Sequence, residues 1–387
     1  MKHPWDPHLF AQGARAAGRD ATFIQAANDA ATKIKAVHPD LPVVLSLSHL
    51  AHLVGVPAST LHDIVDRRSE PYRIFRLKKR SPPRPGAAPN RAYRTILVPS
   101  PTLMRTHRWI AQNILNTAAP HPASFAFAPG RSLTGAADRH AGCRWLVKMD
   151  VQNFFESIKE QSVFKVFLRF GYSSLLSFEL ARLCSWRTSG SFERAPDADG
   201  LTATLPYALR KQGHLPQGAP TSPMLANLAV YSMDQRLLGL AESLGWKYSR
   251  YADDLAFSTR APCSRSQAMR LAALVRRELE VCGLKSNQAK TQIVPPGARR
   301  IVLGLQVDQS QPHLSRAFKN NVETHLFALT SNRIGPAAHR RKRGFASVVG
   351  MRRHIEGLIA FAHQVEPKYA QRLYEQFNSV DLSLIHI

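Results

Sequence analysis

The sequence predicts an α+β protein, with helices at both ends and strands with turns concentrated between them. Three observations carry this. Ala-rich stretches between Ala11 and Ala36, followed by Leu47–Arg67, place apolar residues at helical spacing. Short apolar or alternating runs then appear: YRIFRLKKR from Tyr72, YRTILVP from Tyr93, WLVKMD at 145–150, and Trp246–Thr259. Beyond Pro312 the helical spacing returns, broken at Asn332–Pro336.

The chain has 387 residues, 44% of them hydrophobic, which is enough for a real core spread over two or three lobes. It is therefore not a disordered basic tail. With 52 Lys+Arg against 27 Asp+Glu, the net charge is +25, and a polyanion is the partner that charge selects. The four cysteines, Cys143, Cys184, Cys263 and Cys282, have neither CxxC nor metal-finger spacing. They read as reduced residues of a cytoplasmic protein. No apolar run is long enough to span a membrane, and the first twenty residues lack the layout of a signal peptide.

The charge is unevenly placed. Residues 1–149 carry 21 basic and 8 acidic side chains, residues 150–260 carry 12 and 11, and residues 261–387 carry 19 and 8. Between Pro71 and Met149 there are 14 basic residues and one acid, Asp138. A surface that merely keeps a protein soluble mixes both signs, so the two basic arms read as phosphate-binding.

Taken in order, Leu47–Arg67 has apolar positions on either side of Gly55-Val56-Pro57, with Ser59 or Thr60 as an N-cap. It reads as a helix-turn-helix that contacts DNA or, preferably, as a helical hairpin packed on the next lobe. Tyr72–Pro99 is a hairpin with basic residues at a Pro-rich turn, 81–89. Leu103–Asn116 is a helix. Pro223–Leu244 is a long helix capped by Thr221 or Ser222. Trp246–Thr259 is strand, tight turn, strand. Ser266–Cys282 is an amphipathic helix stopped by Gly283, and Arg300–Val307 is a further strand.

Three carboxylates stand out in the near-neutral middle. Asp150 ends a strand, and Asp253-Asp254 occupy the apex of a hairpin. Carboxylates held at strand ends suit magnesium, which takes a few hard oxygens and completes its octahedron with phosphates and water. Two such ions can activate a hydroxyl and stabilise a leaving pyrophosphate. A lone Asp-Asp pair would be an ordinary turn, but apolar strands flank this one.

YADDLAFS at 251–258 resembles the YxDD box of reverse transcriptases. MDVQNFFESI at 149–158 is similar to their first aspartate motif, and LPQGAPTSPMLANL at 215–228 to their nucleotide-contacting turn and following helix. GLKSNQAKTQI at 283–293 and IVLGLQV at 301–307 resemble the two motifs that follow, the latter usually a primer-gripping hairpin. Order and spacing fit from about Tyr72 to the C-terminus. The resemblance implies a right-hand polymerase fold with a helical N-terminal region at 1–70, fingers at 71–147, a palm at 148–311 and a helical thumb at 312–387. QGAPTSPxLAN, YADDLxFS and the compact thumb look most like retron enzymes. Two elements depart from that pattern: Ala136-Ala137-Asp138-Arg139-His140 lacks the usual Asn, and Val302-Leu303-Gly304 stands for Val-Thr-Gly.

Residue by residue, the resemblance implies metal binding by Asp150, Asp253 and Asp254, with the backbone carbonyl of Val151 as a further ligand. It implies that Phe155 packs under the sugar of the incoming nucleotide and excludes a 2′-hydroxyl. Phe154 would lie in the core on the opposite face if the strand continues. Gln217 and Gly218 match the turn against nucleotide and template, and Arg94, with Lys78, the fingers cations on the triphosphate. Lys290 would act near the pyrophosphate or lie on the surface. His140 reads as a structural hydrogen-bonding histidine. Arg340, Arg341, Lys342 and Arg343, with Arg352 and Arg353, form a basic grip on the duplex.

The resemblance further implies two Mg²⁺ ions, with Mn²⁺ as a substitute, and deoxynucleoside triphosphates as substrates. It implies a structured non-coding RNA as template and primer, single-stranded DNA joined to that RNA as product, and a role in anti-phage defence beside an effector protein encoded nearby. The rivals are an abortive-infection, diversity-generating or group II intron-derived reverse transcriptase, or a nucleic-acid-binding scaffold that no longer polymerises.

Overall fold

A computed structural model describes residues 5–78, 93–187, 212–331 and 333–380. The Pro-rich turn expected at 81–89 lies outside them. The chain forms two compact units. The first comprises Met1–Ala128, Val151–Arg236 and Glu278–Ser286, and the second Pro129–Asp150, Leu237–Arg277 and Asn287–Ile387. The expected N-terminal helices thus share a unit with the hairpin, and the expected thumb shares one with the central sheet.

In the first unit, α1 (Pro7–Ala16) and α2 (Ala21–Val37) are capped by Asp6 and Asp20, whose carboxylates accept from amides of the first turns. Helices α3 (Leu47–Val54) and α4 (Ala58–Val65) flank Gly55, which takes φ +71 as the C-cap of α3. Pro57, not Ser59 or Thr60, holds the N-cap position of α4, with no side-chain cap bond. This pair packs on its own unit. Leu47, Leu50 and Leu61 are fully buried, Arg182 Nη1 donates to Val65 O (2.7 Å), and Arg67 Nη2 donates to Glu160 Oε2 (2.6 Å). The exposed side of α4 offers Asp63 and Asp66, both paired with Arg68. Leu47–Arg67 is thus a helical pair packed on its own unit.

The strands β1 (Tyr72–Lys78) and β2 (Tyr93–Pro99) form an antiparallel hairpin, Tyr72 opposite Pro99 and Lys78 opposite Tyr93. Helix α5 (Pro101–Asn113) follows. The same unit holds α7 (Phe154–Ser157), α8 (Glu160–Arg169), α9 (Ser174–Leu183) and α10 (Ser222–Ala229). The long helix expected at Pro223–Leu244 is two, α10 and α11 (Tyr231–Ser243), separated at Val230.

In the second unit, α6 (Leu133–Asp138) precedes β3 (Trp145–Asp150). With β4 (Lys247–Tyr251), β5 (Asp254–Thr259) and β6 (Gln292–Val294) it makes an antiparallel sheet of order β4-β5-β3-β6. Val147, Tyr248 and Phe257 are fully buried in it. Helix α12 (Arg265–Val281) ends before Gly283, whose φ is +73. The single strand expected at Arg300–Val307 is a tight hairpin, β7 (Ile301–Val302) and β8 (Leu305–Gln306). It turns at Leu303 and Gly304, both with positive φ, and β9 (His313–Leu314) extends it.

Four helices close the chain: α13 (Arg316–Thr330), α14 (Gly335–Arg343), α15 (Val348–Val365) and α16 (Pro367–Asn378). Met351, Ile355, Ile359 and Ala362 recur at helical spacing along α15 and pack with Leu326, Leu373, Leu305 and Leu314 in one core. Glu366 fastens the bundle to the small sheet, accepting from Leu314 N (2.8 Å) and Lys319 Nζ (2.6 Å).

Candidate active site

The three aspartates meet at one end of the four-stranded sheet. Asp150 is the last residue of β3 and stands directly opposite Asp254, the first of β5. Tyr251 of β4 also pairs with Asp254, so Ala252 and Asp253 form a two-residue hairpin turn. Ala252 holds φ +56, a conformation that costs an L-residue about 1–2 kcal/mol. Arg250, wholly buried, donates from Nη1 to Ala252 O (3.2 Å) and braces that turn. Sequence reasoning missed Arg250. Its signal was a cation within a short strand beside the aromatic Tyr248 and Tyr251.

Asp150 is buried at 5% exposure, and Lys290 Nζ donates to its Oδ2 at 2.6 Å. Lys290, expected near pyrophosphate or on the surface, therefore stands at the aspartates. Asp254 is exposed at the rim of the cluster. Partial desolvation, then the charges of Asp253 and Asp150, push its carboxyl up to about 6 against the opposing Lys148 and Lys290. The cluster thus has an excess of negative charge that a cation would relieve.

The donor chemistry fits a hard divalent ion. Among the described residues, no three His, Cys, Asp or Glu side chains converge as a ready-made cage. Magnesium does not need one, since it is ordinarily held by one or two carboxylates together with water and substrate phosphates.

Within the first unit, Val151 pairs as an isolated bridge with Ser286. In that ladder Gln152 N donates to Lys285 O (2.8 Å). The Val151 carbonyl is not spent in this pairing. The strand does not continue through Phe154 and Phe155, the condition under which Phe154 would lie on the opposite face. Asn153 turns with φ +48 and the two phenylalanines open α7. Phe154 is buried, while Phe155 is partly exposed, its ring 6.4 Å from that of Phe127.

The Gln217–Gly218 turn lies against the fingers hairpin: Leu97 N donates to Gln217 O at 2.8 Å. A brace behind it escaped sequence reasoning. Thr221, expected as a helix cap, makes no cap bond, and its Oγ1 lies 2.6 Å from His107 Nδ1. His107 Nε2 meets the hydroxyl of Tyr72 at 3.3 Å, and burial pushes this imidazole down to about 4. Arg94 and Lys78 lie exposed at the end of the same strand pair where Lys78 stands opposite Tyr93.

The thumb cations are placed on two helices of the second unit. Arg341, Lys342 and Arg343 are exposed in the last turn of α14, and Arg340 Nη1 donates to Ala346 O (3.1 Å). Arg353 is exposed on α15, and Arg352 pairs with Glu356.

The family model for "Reverse transcriptase (RNA-dependent DNA polymerase)" matches residues 77–310, more than half of the chain. The chain belongs to the reverse transcriptases. It is 27% identical over 344 residues to the retron Ec86 reverse transcriptase of Escherichia coli, covering 88% of this chain and 91% of that one. It is 31% identical over 300 residues to the retron Mx162 reverse transcriptase of Myxococcus xanthus, covering 74% of this chain and 58% of that longer relative. The retron Mx65 reverse transcriptase of the same organism is 29% identical over 338 residues, covering 86% and 71%. The protein is thus an RNA-directed DNA polymerase of the retron type with the right-hand polymerase fold. No helix among the described residues is long and apolar enough to cross a membrane.

Proposed function

We propose that this reverse transcriptase copies a structured non-coding RNA, its template and primer, into single-stranded DNA that stays joined to that RNA. Deoxynucleoside triphosphates are the substrates, and the product serves anti-phage defence together with an effector protein encoded nearby. The relatives' retron names support this assignment. The observation that carries the chemistry is the pairing of Asp150 with Asp254 beside the Asp253 turn.

Asp150, Asp253 and Asp254, with the Val151 carbonyl, would hold two Mg²⁺ or Mn²⁺ ions, which supply an activated primer hydroxyl and neutralise the leaving pyrophosphate. Lys290 pairs with Asp150 before nucleotide binding and then stands beside the departing phosphates. Arg94 and Lys78 hold the triphosphate by charge-assisted contacts. Phe155 lies under the deoxyribose and excludes a 2′-hydroxyl, while Gln217 and Gly218 bring backbone up to the base pair. Arg341, Lys342, Arg343 and Arg353, with Arg340 and Arg352, grip the duplex backbone.

Sequencing the nucleic acid bound to protein purified from its native host, with and without RNase, tests the template assignment. A short DNA linked to one locally encoded RNA is expected. Heterogeneous cellular RNA without DNA would overturn it.

A further inference from the structure

At the end of β3 and β5 remote from the aspartates, the second unit has a cavity of about 230 Å³. Asp150 faces Asp254 at one end of this strand pair, and Trp145 faces Thr259 at the other. Five residues of strand separate the two ends by about 17 Å. The cavity is therefore not part of the polymerase centre.

Its lining is apolar, cationic and, at Ser258 and Thr259, hydroxyl-bearing. Ala141, Cys143, Gly245 and Ala261 give a largely apolar floor, and Lys247 and Arg260 stand at it as cations. Arg260 is held in place: its Nε and Nη2 both donate to Ala141 O, at 3.2 and 2.7 Å. Gly142, at φ +69, makes room for this, because a Cβ there would come within 3.3 Å of Arg260 Nη2. The second terminal nitrogen of the guanidinium stays uncommitted among the described residues. Lys247 likewise makes no ion pair among them. Burial first, then the charges of Arg139 and Lys247, disfavour protonation of His140 next to the cavity. The carboxylate whose charge reaches the wall at Cys143 is Asp308, and it turns to His313 at 3.7 Å.

A fixed guanidinium and a lysine above an apolar floor fit a ligand with an anionic end and a flat or apolar end. The volume lies below the ~300 Å³ at which pockets for drug-sized ligands begin, so one small unit enters and a duplex does not. Proteins read RNA chiefly through unpaired nucleotides turned out of the helix into such pockets. We propose that this pocket takes a single unpaired nucleotide of the RNA partner, its phosphodiester on Arg260 and Lys247 and its base or sugar on the apolar floor. The proposal rests on the retron reading only for the existence of a dedicated RNA. It gives the enzyme a point of RNA recognition separate from catalysis.

The full chain is irradiated with a short single-stranded RNA of mixed sequence carrying one 4-thiouridine, and adducts are mapped by mass spectrometry. Adducts are expected on peptides containing Ala141–Cys143 or Gly245–Ala261. The double variant Lys247→Gln, Arg260→Gln removes two phosphate contacts and is expected to weaken this adduct about tenfold. Ala261→Trp fills the cavity without changing charge and is expected to do the same. Unlabelled RNA should compete and adenosine 5′-monophosphate should not. An adduct indifferent to both variants overturns the site, and equal competition by the mononucleotide overturns its assignment to RNA. Extension of oligo(dT) on poly(rA) should be unchanged in both variants. A wild-type chain that fails that extension would sink the polymerase reading, while the adduct would still report on the pocket.

Discussion

His140 Nε2 lies 2.7 Å from the hydroxyl of Ser249 in β4, and its Nδ1 lies 2.7 Å from that of Ser258 in β5. One wholly buried imidazole thus ties together the two strands that present Asp253 and Asp254. In its neutral form the ring donates from one nitrogen to one serine oxygen and accepts from the other hydroxyl, and it is its buried site that favours this uncharged form. Burial first, then Arg139 and Lys247, push it down to about 3. In the Ala-Ala-Asp-Arg-His element, the histidine is therefore structural.

His140→Ala is expected to destabilise the protein by about 2–4 kcal/mol, because two buried hydroxyls lose their partner. His140→Gln, which can still donate and accept, should recover part of that loss. The pH dependence has a definite sign. A histidine with a depressed folded pKa favours folding above its unfolded value near 6.5, and that stability drains away as pH falls below it. His107, at about 4, adds in the same direction. The urea midpoint should fall between pH 7 and about pH 4, less steeply in His140→Gln. A flat profile in the wild type would contradict this.

Asp254 leads to a second prediction. Its carboxyl stands at about 6 in the metal-free protein, so protons and a divalent ion compete for it. Mn²⁺ affinity measured by titration calorimetry should weaken as pH drops from 7 to 5. Asp254→Asn should bind Mn²⁺ more weakly at pH 7 and lose that pH dependence. Primer extension by Asp254→Asn is expected to fall by ~100-fold or more, the scale of removing one preorganised electrostatic contact. A protein that only binds nucleic acid would be indifferent to the change.

The parts of this site that follow local rules were legible in the sequence. Asp150 closes an apolar run, and Tyr251–Asp254 sits between two others, so strand ends and turn could be placed without coordinates. What depended on tertiary register was not legible. Arg250 bracing Ala252 O requires the turn to take φ +56 at an alanine, which no propensity suggests. Thr221 looked like a helix cap because Ser, Thr and Pro precede a helix there. Its hydroxyl instead goes to His107, over a hundred positions away in the chain. Placing Phe154 on the face opposite Phe155 depended on the strand continuing through them. β3 ends at Asp150, and Asn153 in the left-handed region leads into a helix instead.

Phe155 is partly exposed on α7 beside Phe127, whereas Phe154 is buried. Shortening Phe155 to Val should let ribonucleotides in without disturbing the core, raising their kcat/KM relative to deoxynucleotides by about tenfold or more. The same change at Phe154 should lower the melting temperature instead, through a cavity. Competitive incorporation of dTTP and UTP on poly(rA) measures the first, and thermal unfolding the second. If Phe154→Val altered sugar choice and Phe155→Val did not, the roles would be reversed.

Gly218 has a tightly enclosed backbone in the Gln217–Gly218 turn. Its φ is +125, and a Cβ would lie 2.8 Å from Leu97 O and 3.1 Å from Ile96 Cγ2. Backbone of the fingers hairpin cannot give way cheaply, because Leu97 N already donates to Gln217 O one residue earlier. Gly218→Ala should therefore push the turn off β2. We expect a loss of about 1–3 kcal/mol in stability from backbone strain and a KM for deoxynucleotides raised about tenfold, with kcat less affected. Gly239 supplies the control. It lies inside α11, a Cβ added there would meet nothing within 4 Å, and its φ is not positive. Gly239→Ala should be stabilising by about 0.5–1 kcal/mol with KM unchanged. Equal behaviour of the two variants would mean that close approach to β2 does not set the geometry of the turn.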